Sequence, residues 1–252
     1  MSKEVAKEIT NEKDQKKKKK SKKSFYMRMH RLLAGIVRLF LRVHISGKEN
    51  IPKTGGVVVC ANHVSLTDPV SIAAAFPRQL TFLAKKELFR IPVLRSVIRA
   101  FGAYPLDRHG DVGAMRHAIA MASKKEDECA EVGEQMVLIF PQGTRCQGKN
   151  PADTRIKNGA GMIAFHAGAP MLPVCIKMKN NRYRLFRRID VIVGKPLLPD
   201  DLGFSSGGSH EFAVATGRTF DEICRLGGFE KSITPDKNNP HTPSDTPAGD
   251  KK

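Results

Sequence analysis

The sequence predicts an α/β fold, with a mostly parallel or mixed sheet flanked by helices. Three observations point there. From residue 57 to 196, short apolar runs alternate with helix-length segments, the pattern of a domain that layers helices on a sheet. Several of the runs, VVVCA among them, are continuous in Val, Ile and Leu rather than alternating with polar residues, as strands covered on both faces require. The polar, chemistry-bearing residues follow directly after these runs, where the loops at the carboxyl ends of parallel strands form sites.

The elements follow in chain order. Residues 1–23 carry ten Lys against four Asp and Glu, +6 of the formal net charge of +18, and are predicted to be a disordered polybasic tail. Residues 24–44 are predicted to form an amphipathic helix: Met29, Leu32, Leu33, Ile36, Phe40 and Val43 recur at helical spacing, with Arg28, Arg31, Arg38 and Arg42 between them. Arg38 leaves no uncharged stretch near the ~20 residues that cross a bilayer. Arginine within the apolar part also argues against a secretory signal. A helix lying in the membrane interface fits; packing on the domain's own core is the alternative.

The main domain is placed at residues 45–229. Its strand candidates are residues 56–61, 80–85, 103–107, 136–140, 171–177 and 188–196. Helices are predicted to begin near Pro69, Leu88, Asp111 and Ile156, the last ending at Gly168 with Pro170 just beyond. Residues 230–252 are rich in Pro, Asp, Asn and Lys with almost nothing apolar, a second disordered tail.

Composition narrows the function. Five cysteines occur without a C-x-x-C pair, and Cys60 and Cys175 lie in apolar runs. That reads as buried free thiols in a reduced compartment, with no disulfide and no zinc site. The basic excess suits an anionic partner: a nucleic acid, a lipid surface or a phosphorylated substrate. Aromatic residues make up only 6% of the chain, and the absence of a known reader motif further disfavours nucleic acid. No Walker-type glycine loop is present.

The most informative stretch is NHVSLTD, residues 62–68. On a continuous helix His63 and Asp68 would be separated by about 500° and face apart. A strand-to-helix loop could instead fold the ring back onto the carboxylate, with Asp68 as N-cap and Pro69 at the first helical position. Three loops share the predicted rim: NHVSLTD, LDRHG and PQGTRCQGKN. They bring a His/Asp pair, Arg108, and Gly143-Thr144-Arg145. An imidazole near a carboxylate, beside arginines able to grip phosphate, suits acyl or phosphoryl transfer.

These residues resemble the glycerophospholipid acyltransferases, of the 1-acylglycerol-3-phosphate acyltransferase type. NHVSLTD is similar to that family's N-H-x-x-x-x-D motif. GAYPLDR (102–108), FPQGTR (140–145) and LPV (172–174) resemble its second, third and fourth blocks, in the family's order; AKKELFRIP (84–92) and KNGA (157–160) also match. The resemblance implies the glycerolipid acyltransferase fold. It implies transfer of a fatty acyl group from a thioester, on coenzyme A or acyl carrier protein, to the sn-2 hydroxyl of lysophosphatidic acid. No other cofactor and no metal is implied.

It also implies roles. His63 is the general base, the residue type suited to proton transfer at neutral pH, and Asp68 orients it. Arg145 and Lys85, helped by Arg108 and Lys157, hold the acceptor's phosphate. Asn62, Gln142, Gly143 and Thr144 position substrate or loop, and a backbone N–H at or beside Gly143 faces the oxyanion. Ser65 and Thr67 stabilise the loop.

Gln142 stands where the family has glutamate. It keeps one acceptor oxygen but cannot act as a carboxylate base or pair with an arginine. Another lysophospholipid or a lyso-aminolipid is therefore the alternative acceptor, and a non-catalytic basic membrane- or nucleic-acid-binding protein the alternative of another class. The expected setting is peripheral, on the cytoplasmic face of an anionic membrane, with acyl carrier protein as a candidate partner.

Overall fold

The computed structural model describes residues 33–78, 80–106, 112–123 and 135–232. Seven strands form one sheet: β1 (Val43–Ser46), β2 (Val57–Ala61), β3 (Leu80–Lys85), β4 (Ala103–Leu106), β5 (Met136–Ile139), β6 (Met171–Lys177) and β7 (Ile189–Val193). Their order across the sheet is β1-β7-β6-β2-β5-β3-β4. Every neighbouring pair is parallel except β6 with β7. The sheet is therefore mixed, and β7 and β1 run against the other five.

Side-chain alternation divides the core into two layers. Val57, Val59 and Ala61 of β2 face one way and Val58 and Cys60 the other, all fully buried. The first layer receives α2 (Asp68–Ala75), part of α3 (Pro92–Ala100), and the helix α1, whose described part covers residues 33–40. The second receives α4 (Val112–Ala122), α5 (Gly159–Ala167) and α6 (Ser209–Gly227). Burying one Val or Ile fully contributes about 1.5–3 kcal/mol, so strands apolar on both faces are needed to join two helical layers.

The sequence-predicted elements are present with shifted ends. The helix expected from Leu88 breaks in two. A 3₁₀ segment spans Lys86–Arg90, Ile91 is extended at φ −86°, ψ 112°, and α3 starts on Pro92, because a residue before proline is pushed out of the helical region. Gly168 caps α5 at φ +58°.

Two elements were not expected. β1 occupies Val43, which helical spacing had assigned to α1, so the helix ends near residue 40 and the sheet starts two residues before the domain boundary of 45. α6 is the longest helix described, 19 residues. Its buried stripe includes Thr216 and Thr219. Thr216 Oγ accepts the Gly161 N–H of α5 at 3.0 Å, and the Thr219 hydroxyl donates to the Ala215 carbonyl at 2.8 Å.

The described part of α1 is apolar on two sides. Leu33, Ala34 and Val37 pack on the first core layer, while Ile36, Leu39 and Phe40 face solvent. Core packing and an outward apolar face thus coexist on one helix. Met29 and Leu32, and the whole polybasic tail, lie outside the described residues, as do residues 233–252. Among the described residues no helix is long and apolar enough to cross a membrane.

Candidate active site

β2 ends at Ala61, in mid-sheet, and the chain must leave it without stranding backbone groups of its neighbour β6. Asn62 solves this. Its Oδ1 accepts the Ile176 N–H at 2.7 Å and its Nδ2 donates to the Ile176 carbonyl at 2.9 Å. A fully buried side chain thereby continues the ladder while the backbone turns away. Its role is structural, and it fixes where His63 begins.

The loop then closes on Asp68. Asp68 Oδ2 accepts from His63 Nδ1 at 2.8 Å, from the Val64 N–H at 2.6 Å and from the Ser65 N–H at 2.7 Å. Oδ1 accepts the Ser65 hydroxyl at 3.1 Å. The carboxylate is fully buried and the imidazole is 18% exposed. With Nδ1 directed at the carboxylate, Nε2 is left as the basic nitrogen. The expectation that Asp68 caps α2 is corrected here. The N-cap is Thr67, without a side-chain capping bond, and Asp68 opens the helix. Its oxygens receive hydrogens from the residues before it, because the tight turn aims two successive N–H groups at one oxygen. Ser65 and Thr67 do brace the loop, their hydroxyls 2.6 Å apart.

The β5 loop grips His63 from the next strand. Gln142 Oε1 accepts the His63 N–H at 2.6 Å, the Cys146 N–H donates to the His63 carbonyl at 2.7 Å, and the Phe140 ring stacks on the imidazole at 4.1 Å. Gln142 Nε2 donates to Thr154 Oγ at 2.6 Å, and the Thr154 hydroxyl donates to the Pro151 carbonyl, also at 2.6 Å. Both ends of the buried Gln142 amide are thus occupied by protein, which leaves it a positioning role. Its amide donor, which glutamate would lack, has a dedicated acceptor.

Gly143 takes φ +65°, a conformation open to glycine. Its N–H donates to the Phe140 carbonyl at 3.0 Å, so that N–H does not face an oxyanion. Those of exposed Thr144 and of Arg145 have no hydrogen-bond partner among the described residues. Lys157 is tied to the loop through its own N–H, which donates to the Pro141 carbonyl at 2.8 Å. Its side chain lies across Gly143, where a Cβ would come within 3.4 Å of Lys157 Cε. Arg145 makes no ion pair or hydrogen bond among the described residues, so its guanidinium is available to an anion. Burial, with the Asp68 charge second, pushes the Cys146 thiol above its ordinary value.

The structure therefore brings His63, Asp68, Asn62, Gln142, Gly143, Thr144, Arg145 and Lys157 onto one rim. Lys85 ends β3 on that rim, with its side chain outside the description, and Arg108 lies outside the described residues. Sequence reasoning missed Phe140, whose contact with His63 depends on the adjacency of β2 and β5, and Thr154, whose contacts depend on the path of the loop after β5. Among the described residues no group of three or more His, Cys, Asp or Glu could hold a metal ion.

A family model described as Acyltransferase matches residues 42–177, more than half of the chain and all of this rim. The chain belongs to the acyltransferase family. This acyltransferase is 33% identical over 150 residues to the 1-acyl-sn-glycerol-3-phosphate acyltransferase of Borreliella burgdorferi, covering 59% of the chain and 54% of that protein. It is 29% identical over 176 residues to the enzyme of the same name from Bacillus subtilis, covering 67% and 82%. The chain thus spans about half the length of the first and most of the second. Among solved structures, the acyltransferase resembles the 1-acyl-sn-glycerophosphate (LPA) acyltransferase of Thermotoga maritima. The TM-score is 0.56 at 27% identity, covering 78% of this chain and 79% of that one.

Proposed function

We propose that this acyltransferase moves a fatty acyl group from an acyl thioester to the sn-2 hydroxyl of lysophosphatidic acid, forming phosphatidic acid. The observation that carries the reading is the His63 Nδ1–Asp68 Oδ2 bond, 2.8 Å long, on the same rim as Arg145, which makes no ion pair among the described residues. The names of the relatives support the choice of acceptor.

His63 Nε2 takes the proton as the hydroxyl oxygen attacks the thioester carbonyl. Asp68 stabilises the imidazolium, the carbon–sulfur bond then breaks, and the same proton goes to the departing thiolate. No protein nucleophile is acylated, because the substrate hydroxyl occupies that role. Base catalysis of this kind is worth roughly 10²–10⁴-fold. Arg145 and Lys157 hold the phosphate, with Lys85 and Arg108 as further candidates. The N–H groups of Thr144 and Arg145 replace that of Gly143 as oxyanion donors. Coenzyme A or acyl carrier protein delivers the acyl group, and no further cofactor enters. The acceptor resides in the bilayer, so the protein works at the cytoplasmic face of an anionic membrane, held by the polybasic tail and the amphipathic helix.

The test is phosphatidic acid formation from lysophosphatidic acid and a labelled acyl thioester in mixed micelles. His63→Ala lowers turnover by roughly 10²–10⁴-fold, and Arg145→Ala chiefly raises KM for the acceptor. Full activity in His63→Ala overturns the assignment of the base. No product from wild type with either donor class overturns the acceptor.

A further inference from the structure

Topology puts a second feature on the catalytic rim. β1 runs parallel to β7, with Val43 opposite Ile189, so the end of α1 and the β6–β7 loop meet on the side where β6 ends. Phe40 of α1 packs edge-on against Phe186 of that loop, ring centroids 5.8 Å apart, and Arg42 Nη1 donates to the Phe186 carbonyl at 3.1 Å.

The contact does not bury these residues. Leu39 is 82% exposed, Phe186 60% and Leu185 53%. Phe186 moreover takes φ +60°, a conformation that is a true outlier for a bulky side chain. Such strain concentrates at functional positions. Arginine surrounds the exposed apolar residues. Lys179, Arg182, Arg184 and Arg187 line an open cleft of about 420 Å³ with Asn180 and Gly148. None of the four cations makes an ion pair among the described residues. The loop is joined to the site itself: the Gly148 N–H donates to the Asn181 carbonyl at 2.7 Å, two residues after Cys146 has bonded the His63 carbonyl.

We infer that the β6–β7 loop is a membrane-docking ridge: Leu185 and Phe186 insert beside Phe40 while Arg182, Arg184 and Arg187 bind anionic headgroups. Apolar side chains flanked by arginines are the composition of an interface-binding surface. Charge selects the occupant. The chain's own N-terminal tail, at +6, is repelled by this cluster, whereas an anionic lipid surface is attracted. The ridge would seat the His63 rim at the headgroup level, where a membrane-borne acceptor presents its hydroxyl. The inference deepens the proposed function in that last respect alone, and its test reads binding rather than turnover.

The chain has no tryptophan, so Phe186→Trp in the full-length protein gives a single reporter at the ridge. With vesicles of phosphatidylcholine and phosphatidylglycerol its emission shifts to the blue and is quenched by acyl chains brominated near the headgroup. Phe204→Trp, in the opposite core layer, does neither. Replacing Arg182, Arg184 and Arg187 together by Gln weakens vesicle partitioning roughly 100-fold, at about fivefold per arginine near an anionic surface. A Phe186→Trp spectrum that vesicles leave unchanged overturns the inference. So does one already blue-shifted without vesicles, which would show another segment of the chain on the ridge. Wild-type partitioning by the triple Gln variant overturns the headgroup role. Vesicle binding without acyl transfer would leave the ridge standing and remove the proposed function.

Discussion

Asp68→Asn separates the charge of this carboxylate from its geometry. Oδ2 receives three hydrogens, from His63 Nδ1, Val64 N and Ser65 N, at 2.6–2.8 Å. An asparagine could present either its oxygen or its NH₂ there. The NH₂ would leave two backbone donors facing donors, at about 1–3 kcal/mol for each unsatisfied group. The oxygen is therefore held in place, and the NH₂ takes the Oδ1 position facing Ser65 Oγ, which can accept. His63 keeps its tautomer. In hydrolase triads the same exchange lowers turnover about 10⁴-fold because the tautomer is wrong. Here only charge assistance is lost. A charge-assisted bond is about twice as strong as a neutral one, so the barrier rises by about 1–2 kcal/mol and kcat falls about 5–30-fold. Asp68→Ala removes the acceptor altogether, freeing the ring and orphaning two buried N–H groups, and lowers kcat about 10³-fold or more along with Tm. The assay is labelled acyl transfer at saturating acceptor, with calorimetry alongside. Equal losses in the two variants would refute the claim that Val64 and Ser65 pin the oxygen.

Three further outcomes are expected. Asn62→Ala leaves the Ile176 N–H and carbonyl unpaired in the core, costing about 2–5 kcal/mol and lowering Tm by roughly 5–15 °C; an unchanged melting curve would contradict the ladder role. Gln142→Glu keeps the bond from the His63 N–H but forces the Thr154 hydroxyl away from Pro151, losing about 1 kcal/mol. Acceptor preference stays as in wild type, and a switch of preferred lysophospholipid would show that this side chain faces substrate. Burial pushes the Cys175 thiol to about 12 and the Cys224 thiol to about 11 from an ordinary 9.0. Since the unfolded chain loses these protons first, their contribution is whole below about pH 9 and is lost as pH rises towards 11–12. Urea midpoints should fall across that window, and less steeply in Cys175→Ala.

What was legible in the sequence followed from local chemistry. VVVCA, a short Val-rich run, reads as a doubly covered strand, and a histidine and an aspartate five residues apart, just before a proline, would face apart on a continuous helix, so the loop and the pair could be read together. The direction of the Asp68 bonds could not, because it depends on how sharply residues 63–65 turn. The α6 stripe was obscured by Thr216 and Thr219, whose hydroxyls are tolerated inside only through the bonds described above. β1 is four residues whose partner lies more than 140 positions away, and at short range Val43 simply continues a helical period. Phe140 against His63 is a product of β2 lying beside β5, which no short window of sequence contains, and Gln142 against Thr154, twelve positions on, depends on how the chain folds back after β5.

His63 is clamped at its N–H, its carbonyl and its ring by Gln142, Cys146 and Phe140, three residues within seven of a neighbouring strand's loop. The two sequence blocks are therefore one mechanical part. An insertion between 140 and 146 is a mutation of His63 although it alters none of that residue's atoms, and a loop borrowed from a relative will work only when the NHVSLTD segment travels with it.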